Sequence, residues 1–263
     1  MKMTQNYLGT ATGQRRTSKL WILVCAVILY LLSTRNSSLS FSTDHPKEEW
    51  LKIYEFVSPS QELKFLEPVD VKHQVKTVGY LPIDQVHRQE KIHSGAWVVV
   101  TDQTGDKVLL LKRGPQLVTC PNTWGLVGEH SNGDESAFQT VQRALVEELW
   151  GGSNQTYERD VAFVRSLTVH PLFFLLAYNN QRVDRQLTFL YEVRFRQPSP
   201  QIQLKLDDEV FDHQWINLQD LGKWIHSDKA NHDFCHARLV QLNQIVLQKL
   251  LALREKSSQS MPT

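Results

Sequence analysis

From residue 96 onward the apolar positions follow two periods. Residues 97–101 and 108–111 are aliphatic or β-branched runs on either side of Asp102-Gln103-Thr104-Gly105-Asp106, which predicts strand, turn and strand. Gly114, Pro115, Pro121 and Asn122 then mark a loop. Ala137, Phe138, Val141, Leu145 and Leu149 recur at helical spacing, with Asp134 placed to cap the helix and Gly151-Gly152 to end it. Residues 161–169, 187–195 and 210–216 read as strands and 217–225 as a short helix. Residues 234–254 read as an amphipathic helix whose Leu239, Leu242, Val246, Leu247 and Leu250 face a core. Ahead of this block, residues 46–56 read as a short helix with Glu48, Glu49 and Lys52 on its wet side, and Pro59, Pro68 and Pro82 punctuate the next segment. Strands mixed with helices in this order predict an α/β or α+β sandwich.

The N-terminus is patterned differently. Residues 20–32 read LWILVCAVILYLL, preceded by Lys2, Arg15, Arg16 and Lys19 and followed by Arg35 and a polar stretch. The basic flank predicts a cytosolic N-terminus. At ~1.5 Å per residue the run spans about 20 Å, short of the roughly 30 Å of a hydrocarbon core. Two expectations follow: a signal-anchor that recruits Ser33 and Thr34, or a signal peptide cleaved near Ser38-Leu39-Ser40, which would leave a secreted protein. The long basic head favours the anchor. The expected organisation is a cytosolic tail (1–19), a transmembrane signal-anchor (20–34), a stem and N-terminal extension (35–90), a main domain (91–227) and a C-terminal amphipathic helix and tail (228–263). This describes a single-pass type II membrane protein of the endoplasmic reticulum or Golgi, with its domain lumenal. Sequons at Asn36 and Asn154 would then meet the glycosylation machinery, and Asn154, after a Gly-Gly-Ser loop, is the better placed.

Composition narrows the function. The 263 residues suffice for one good-sized domain plus appendages, and a net charge of +1 without a basic cluster gives no reason to expect a nucleic-acid partner. Ten histidines occur without CxxC or HxxxH spacing, so no structural zinc site is expected. Of three cysteines, Cys25 lies in the apolar run. Cys120 and Cys235 would pair in a lumenal domain, although two lone cysteines are more commonly buried or idle thiols.

The chemistry concentrates in Trp124-Gly125-Leu126-Val127-Gly128-Glu129-His130, then Glu135, then Arg143-Ala144-Leu145-Val146-Glu147-Glu148. Positions i, i+3 and i+4 share a helix face, which sets Glu147 and Glu148 beside position 144 and lets Arg143 support Glu147. The spacing of Glu135, Arg143, Leu145, Glu147 and Glu148 resembles the Nudix box, and Trp124-Gly125-Leu126, Leu111-Lys112-Arg113 and residues 209–216 also look like that family. The resemblance covers residues 92–226, about half the chain. It implies a Nudix-like mixed-sheet α/β/α sandwich. It also implies a Glu135–Arg143 ion pair fixing the loop against the helix, and Mg2+ or Mn2+ held by Glu147 and Glu148 with Glu209 from a late strand. Three positions depart from the pattern: Glu129 and Trp150 stand where glycines are usual, and Ala144 where a glutamate is usual. Glu129 is the expected replacement carboxylate, which makes Glu129, Glu147 and Glu148 the candidate catalytic residues.

Arg113, His130 and Arg182 are the candidate substrate contacts. Gly128-Glu129-His130 is also similar to the Cys-Gly-His of isopentenyl-diphosphate isomerases, where such a His binds metal. Gly128 replaces the isomerase cysteine, so isomerase chemistry is not expected, and a His130 bonded to its own loop is the plainer expectation. Arg182, Asp184 and Arg185 read as a solvated hairpin turn, with Arg182 or Arg185 free to meet a phosphate. The implied function is metal-dependent hydrolysis of a nucleoside-diphosphate-linked or other organic diphosphate by a membrane-tethered enzyme. The alternative is a Nudix-fold protein that binds a ligand or partner without turnover.

Overall fold

A computed structural model of the chain describes residues 48–58, 63–178, 180 and 182–259. The apolar run at 20–34, Cys25 and Asn36 lie outside them. Among the described residues no helix is long and apolar enough to cross a membrane.

The chain opens with β1 (Trp50–Phe56), α1 (Val71–Gln74), β2 (Val75–Pro82) and α2 (Ile83–Arg88). The expected helix at 46–56 is thus corrected to a strand. Leu51 and Ile53 are buried with more exposed residues on either side, a period of two that suits aromatic and β-branched residues on a pleated surface. β1 pairs antiparallel with β2 and with the start of β3 (Ile92–Thr101).

β3 is the spine of the sheet. It runs parallel to β9 (Val183–Phe195) over all ten of its residues, from Ile92 opposite Arg185 to Thr101 opposite Arg194. All but one of its residues are buried, as expected for a strand covered on both faces. The turn at residues 102–106 leads into β4 (Lys107–Arg113), which pairs with β5 (Trp124–Gly125) and, further on, with β10 (Val210–Asn217). β6 (Val127–His130) lies antiparallel to β3. β7 (Val161–Ser166) and β8 (Leu172–Ala177) both pair antiparallel with β9. β8 is an uninterrupted apolar run that period-based reading passed over. β9 begins at Val183, so Asp184 and Arg185 are strand residues paired with Leu176 and Leu175. This corrects the expected solvated turn at 182–185.

α3 (Ala137–Trp150) carries the acidic motif. Ser136, rather than Asp134, caps it: Ser136 Oγ accepts from the Gln139 amide and Gln139 Oε1 accepts from the Ser136 amide. This reciprocal pair satisfies two donors at once. Asp134 instead accepts from the Tyr80 hydroxyl at 2.7 Å and pairs with Lys52. Gly151 ends the helix in the left-handed region, at φ 53°. α4 (Asn154–Asp160) follows.

After β10 come α5 (Leu218–Ile225), α6 (Ala230–Asp233) and α7 (Ala237–Gln259). α7 starts three residues later than expected because Cys235 sits at φ 69°, outside helical geometry. The sheet is covered on both faces. Val98, Val100, Leu109 and Leu111 pack with Val141, Leu145 and Leu149 of α3. Val99, Val108 and Leu110 pack with Leu221 of α5 and Leu242, Val246 and Leu250 of α7. Cys120 and Cys235, expected as idle thiols, form a disulfide with a Cα–Cα distance of 5.3 Å. The fold brings the loop after β4 against the junction of α6 and α7.

Candidate active site

The site is built on β6 and the start of α3. Gly128 lies opposite Trp97 of β3, and a Cβ there would come within 2.5 Å of the Trp97 ring. A cysteine nucleophile at this position would have to displace that ring. The next two residues, Glu129 and His130, lie opposite Ala96 and Gly95.

The loop from Ser131 to Ser136 is fastened by one ion pair. Glu135 accepts through Oε2 from the Asn132 amide (2.9 Å) and the Thr140 hydroxyl (3.3 Å). Arg143 meets it with two parallel bonds, Nε to Oε1 at 2.8 Å and Nη2 to Oε2 at 3.1 Å. The same Nη2 donates to the His130 carbonyl at 2.6 Å. Arg143 therefore joins loop, strand and helix, a use suited to the rigid guanidinium fork. Its Nη1 lies 3.1 Å from Glu147, 3.5 Å from Glu129 and 3.9 Å from Glu49. Burial acts to raise the Glu135 carboxyl, but the bonds from Arg143 and the Asn132 amide outweigh it and hold the group below its ordinary value.

A cleft of ≈ 510 Å³ gathers Arg113, Glu129, His130, Glu147, Glu148, Arg182 and Glu209, together with Glu49, expected on a wet helix face, and Asp207, which the sequence did not single out. Within it the carboxylates burden one another. Burial, helped by Glu49 and Glu147 and opposed by Arg143, pushes Glu129 up to about 7. Glu148 stands well above its ordinary value, through burial first and then Glu129, Asp207 and Glu209, with Arg113 opposing. Asp207 is raised mainly by burial. Glu147 is exposed and leans on Arg143, and Glu209 is exposed at the turn before β10. Arg113 is oriented by the carbonyl and hydroxyl of Thr119, at 3.2 and 3.4 Å. Ala144, on the same helix face as Glu148, is fully buried in the core beneath α3, so its methyl does not border the cleft.

His130 departs from expectation. Its ring stands 4.9 Å from the His93 ring and 5.1 Å from the His87 ring, and Nε2 lies 4.0 Å from Asp184 Oδ2. Arg182 Nη2 lies 2.8 Å from His87 Nδ1. Burial draws His87 down to about 4 and His130 down to about 3. Burial acts to raise Asp184, but His93 and the other two imidazoles outweigh it and bring the carboxyl to about 2. His87 and His93 are six residues apart across a helix–strand junction, and that spacing carries no ligand signature. Only recognising residue 184 as part of a strand would have pointed inward.

Residues 91–242, more than half of the chain, match the NUDIX domain family. Among solved structures the chain is similar to the MutT protein from Methanosarcina mazei Go1, at 17% identity over 62% of this chain and 95% of that one, with a TM-score of 0.40. It is similar to a C. elegans Ap4A hydrolase at 15% identity over 62% and 98%, with a TM-score of 0.39. A bifunctional NMN adenylyltransferase/ADP ribose pyrophosphatase from Francisella tularensis is similar at 18% identity over 60% and 41%, with a TM-score of 0.40. No curated protein sequence matches. The capped helix with its Glu135–Arg143 fastening and the match across residues 91–242 lead to one conclusion: the chain belongs to the Nudix family.

Proposed function

We propose that the chain is a divalent-metal-dependent hydrolase of an organic diphosphate, nucleoside-linked or otherwise. The observation that supports this reading is the pair Glu129 and Glu148. Both are cleft carboxylates raised chiefly by burial, Glu129 further by Glu49 and Glu147, and Glu148 further by Glu129, Asp207 and Glu209. Like charges held together out of water favour a hard divalent cation, and Mg2+ or Mn2+ suits an oxygen-only set that leaves room for its waters. Glu129, Glu148 and Glu209 would hold the ion, with Glu147 at the rim. When bound, the ion would offset diphosphate charge and make a coordinated water more acidic. Glu129, pushed up to about 7 in the metal-free cleft, would give up its proton as the ion binds. Arg113 and Arg182 offer guanidinium groups to phosphate oxygens. Arg143 keeps Glu129 and the loop in place.

The test is a panel of diphosphates offered to the purified full-length chain with Mg2+ or Mn2+, beside Glu148→Gln, Glu129→Gln and Glu209→Gln. The reading expects turnover that Glu148→Gln reduces by about 100-fold or more, within the range of a lost acid–base or metal-holding group. Turnover that survives all three substitutions would reject it. Ala144 favours a second reading, a ligand-binding Nudix fold without hydrolysis. Tight diphosphate binding with no turnover under either metal would select it.

We further propose that residues 20–34 anchor the chain as a type II membrane protein with this domain in the secretory lumen. The Cys120–Cys235 bond suits an oxidising compartment, and Asn154 is exposed. The reading expects a faster-migrating band after peptide N-glycosidase treatment of the membrane fraction, lost in Asn154→Gln.

A further inference from the structure

Among the described residues, His87, His93, His130 and Asp184 each bring one ligand atom within 4.8 Å of all the others. His87 comes from α2, His93 from β3, His130 from β6 and Asp184 from β9. Four elements therefore deliver three imidazoles and one carboxylate to a single point. His93 is fully buried, His87 and Asp184 nearly so.

An ordinary buried polar cluster satisfies its own hydrogen bonds. This one does not. His93 Nε2 and Asp184 Oδ1 are both buried and lack a hydrogen-bond partner, although they lie 3.2 Å apart. The other ring nitrogen, His93 Nδ1, lies 3.2 Å from the Lys91 carbonyl. A carbonyl oxygen is an acceptor, so Nδ1 carries a proton, and in the neutral ring Nε2 then presents a lone pair. That lone pair faces a carboxylate oxygen, and the two repel unless a proton or a metal ion lies between them. A ring fixed by Nδ1–H to a backbone carbonyl, with Nε2 free, is the arrangement that orients histidine toward a metal.

We propose that His87, His93, His130 and Asp184 bind one divalent transition-metal ion of the zinc class, separate from the ion assigned to the glutamates. Three nitrogens and one oxygen are a borderline donor set, which favours Zn2+, Co2+ or Ni2+ over Mg2+. Ligand atoms about 2.1 Å from one tetrahedral zinc ion lie about 3.4 Å apart, so binding draws the widest pair, within 4.8 Å, together by up to about 1.4 Å. His130 and Asp184 also border the cleft, which leaves the ion one side facing the substrate space. Arg182 is the opposing charge. Its Nη2 reaches His87 Nδ1 at 2.8 Å and its Nη1 lies 3.7 Å from Asp84. A cation in that position competes with the metal for His87, so removing it strengthens binding.

The test reads metal directly and does not depend on hydrolysis. Full-length chain stripped with chelator is titrated with Co2+, then Zn2+, in excess Mg2+, following the visible absorption of Co2+ and its displacement. The proposal expects one Co2+ per chain with the spectrum of a nitrogen-rich site, and that spectrum persists in Glu148→Gln. Asp184→Asn and the cleft-edge His130→Asn weaken binding by about 10-fold or more, while Arg182→Met tightens it. Absence of stoichiometric Co2+ binding in excess Mg2+ would overturn the proposal. So would unchanged affinity in both His130→Asn and Asp184→Asn, or weaker binding in Arg182→Met.

Discussion

Replacing Arg143 with methionine keeps the length of the side chain and removes every bond that Arg143 makes to the motif loop. The wild-type guanidinium makes two bonds to Glu135 and one to the His130 carbonyl, and its third nitrogen faces Glu147, Glu129 and Glu49. Breaking a buried ion pair by removing one partner costs about 3–5 kcal/mol. Arg143 and Glu135 retain 18% and 22% side-chain exposure, so water recovers part of the loss and the expected cost is about 2–4 kcal/mol. The cost depends on pH. Glu135, held below its ordinary value, contributes stability that is present above pH ~4.5 and lost as pH falls. Glu129, pushed up to about 7, is charged and attracted to Arg143 only at higher pH. The penalty should therefore be largest near pH 8 and smaller near pH 5, by about 1 kcal/mol, the scale of one pKa unit. Urea unfolding followed by tryptophan fluorescence measures it, with Arg143→Lys falling between the two. A loss below about 1 kcal/mol, or a loss independent of pH, would refute the role given to this residue.

Two further outcomes follow from the same geometry. The Cys120–Cys235 bond closes a loop with a sequence separation of 115, worth about 5 kcal/mol in the chain-entropy account. Paired Cys120→Ser and Cys235→Ser substitutions, or reduction, should lower urea stability by 2–5 kcal/mol, roughly the range for native disulfides, and an unchanged midpoint would contradict this. His87 and His130, drawn down to about 4 and about 3, hold fewer protons in the folded state than in the unfolded one below pH ~6.5, so they favour folding less as pH falls. With chelator present, wild type should lose stability between pH 6 and 4 more steeply than His130→Asn, by at most about 1.4 kcal/mol per pH unit for the one histidine removed. Parallel curves would remove His130 from that account.

The motif was legible because its residues follow one another through a single loop and helix. Glu135, Arg143, Glu147 and Glu148 needed only sequence spacing to be placed, and α7 announced itself through five apolar positions at helical period. Trp50–Phe56 misled because a short amphipathic stretch of seven residues fits either period, and only pairing with β2 and β3 settled it. Asp134 resembled a cap, yet its carboxylate found Tyr80 and Lys52, partners 54 and 82 residues away. The imidazole cluster was invisible for the same reason. His87, His93 and His130 meet only because β3 stands beside β6 and β9. Asp184 sits between Arg182 and Arg185, where local sequence reads as solvated surface. Ala144 illustrates the converse: the missing carboxylate was plain in the sequence, while its burial in the core required the sheet beneath it.

The central claim is that Glu129, pushed up to about 7, and Glu148, raised by burial beside it, give up protons when a divalent ion binds between them. Adding Mn2+ to weakly buffered, metal-free chain at pH 7 and recording proton release tests it directly. Binding to carboxylates raised in this way frees protons. The account predicts saturable release in wild type that shrinks in Glu129→Gln and in Glu148→Gln. Release that is absent in wild type, or unchanged in both variants, would contradict it.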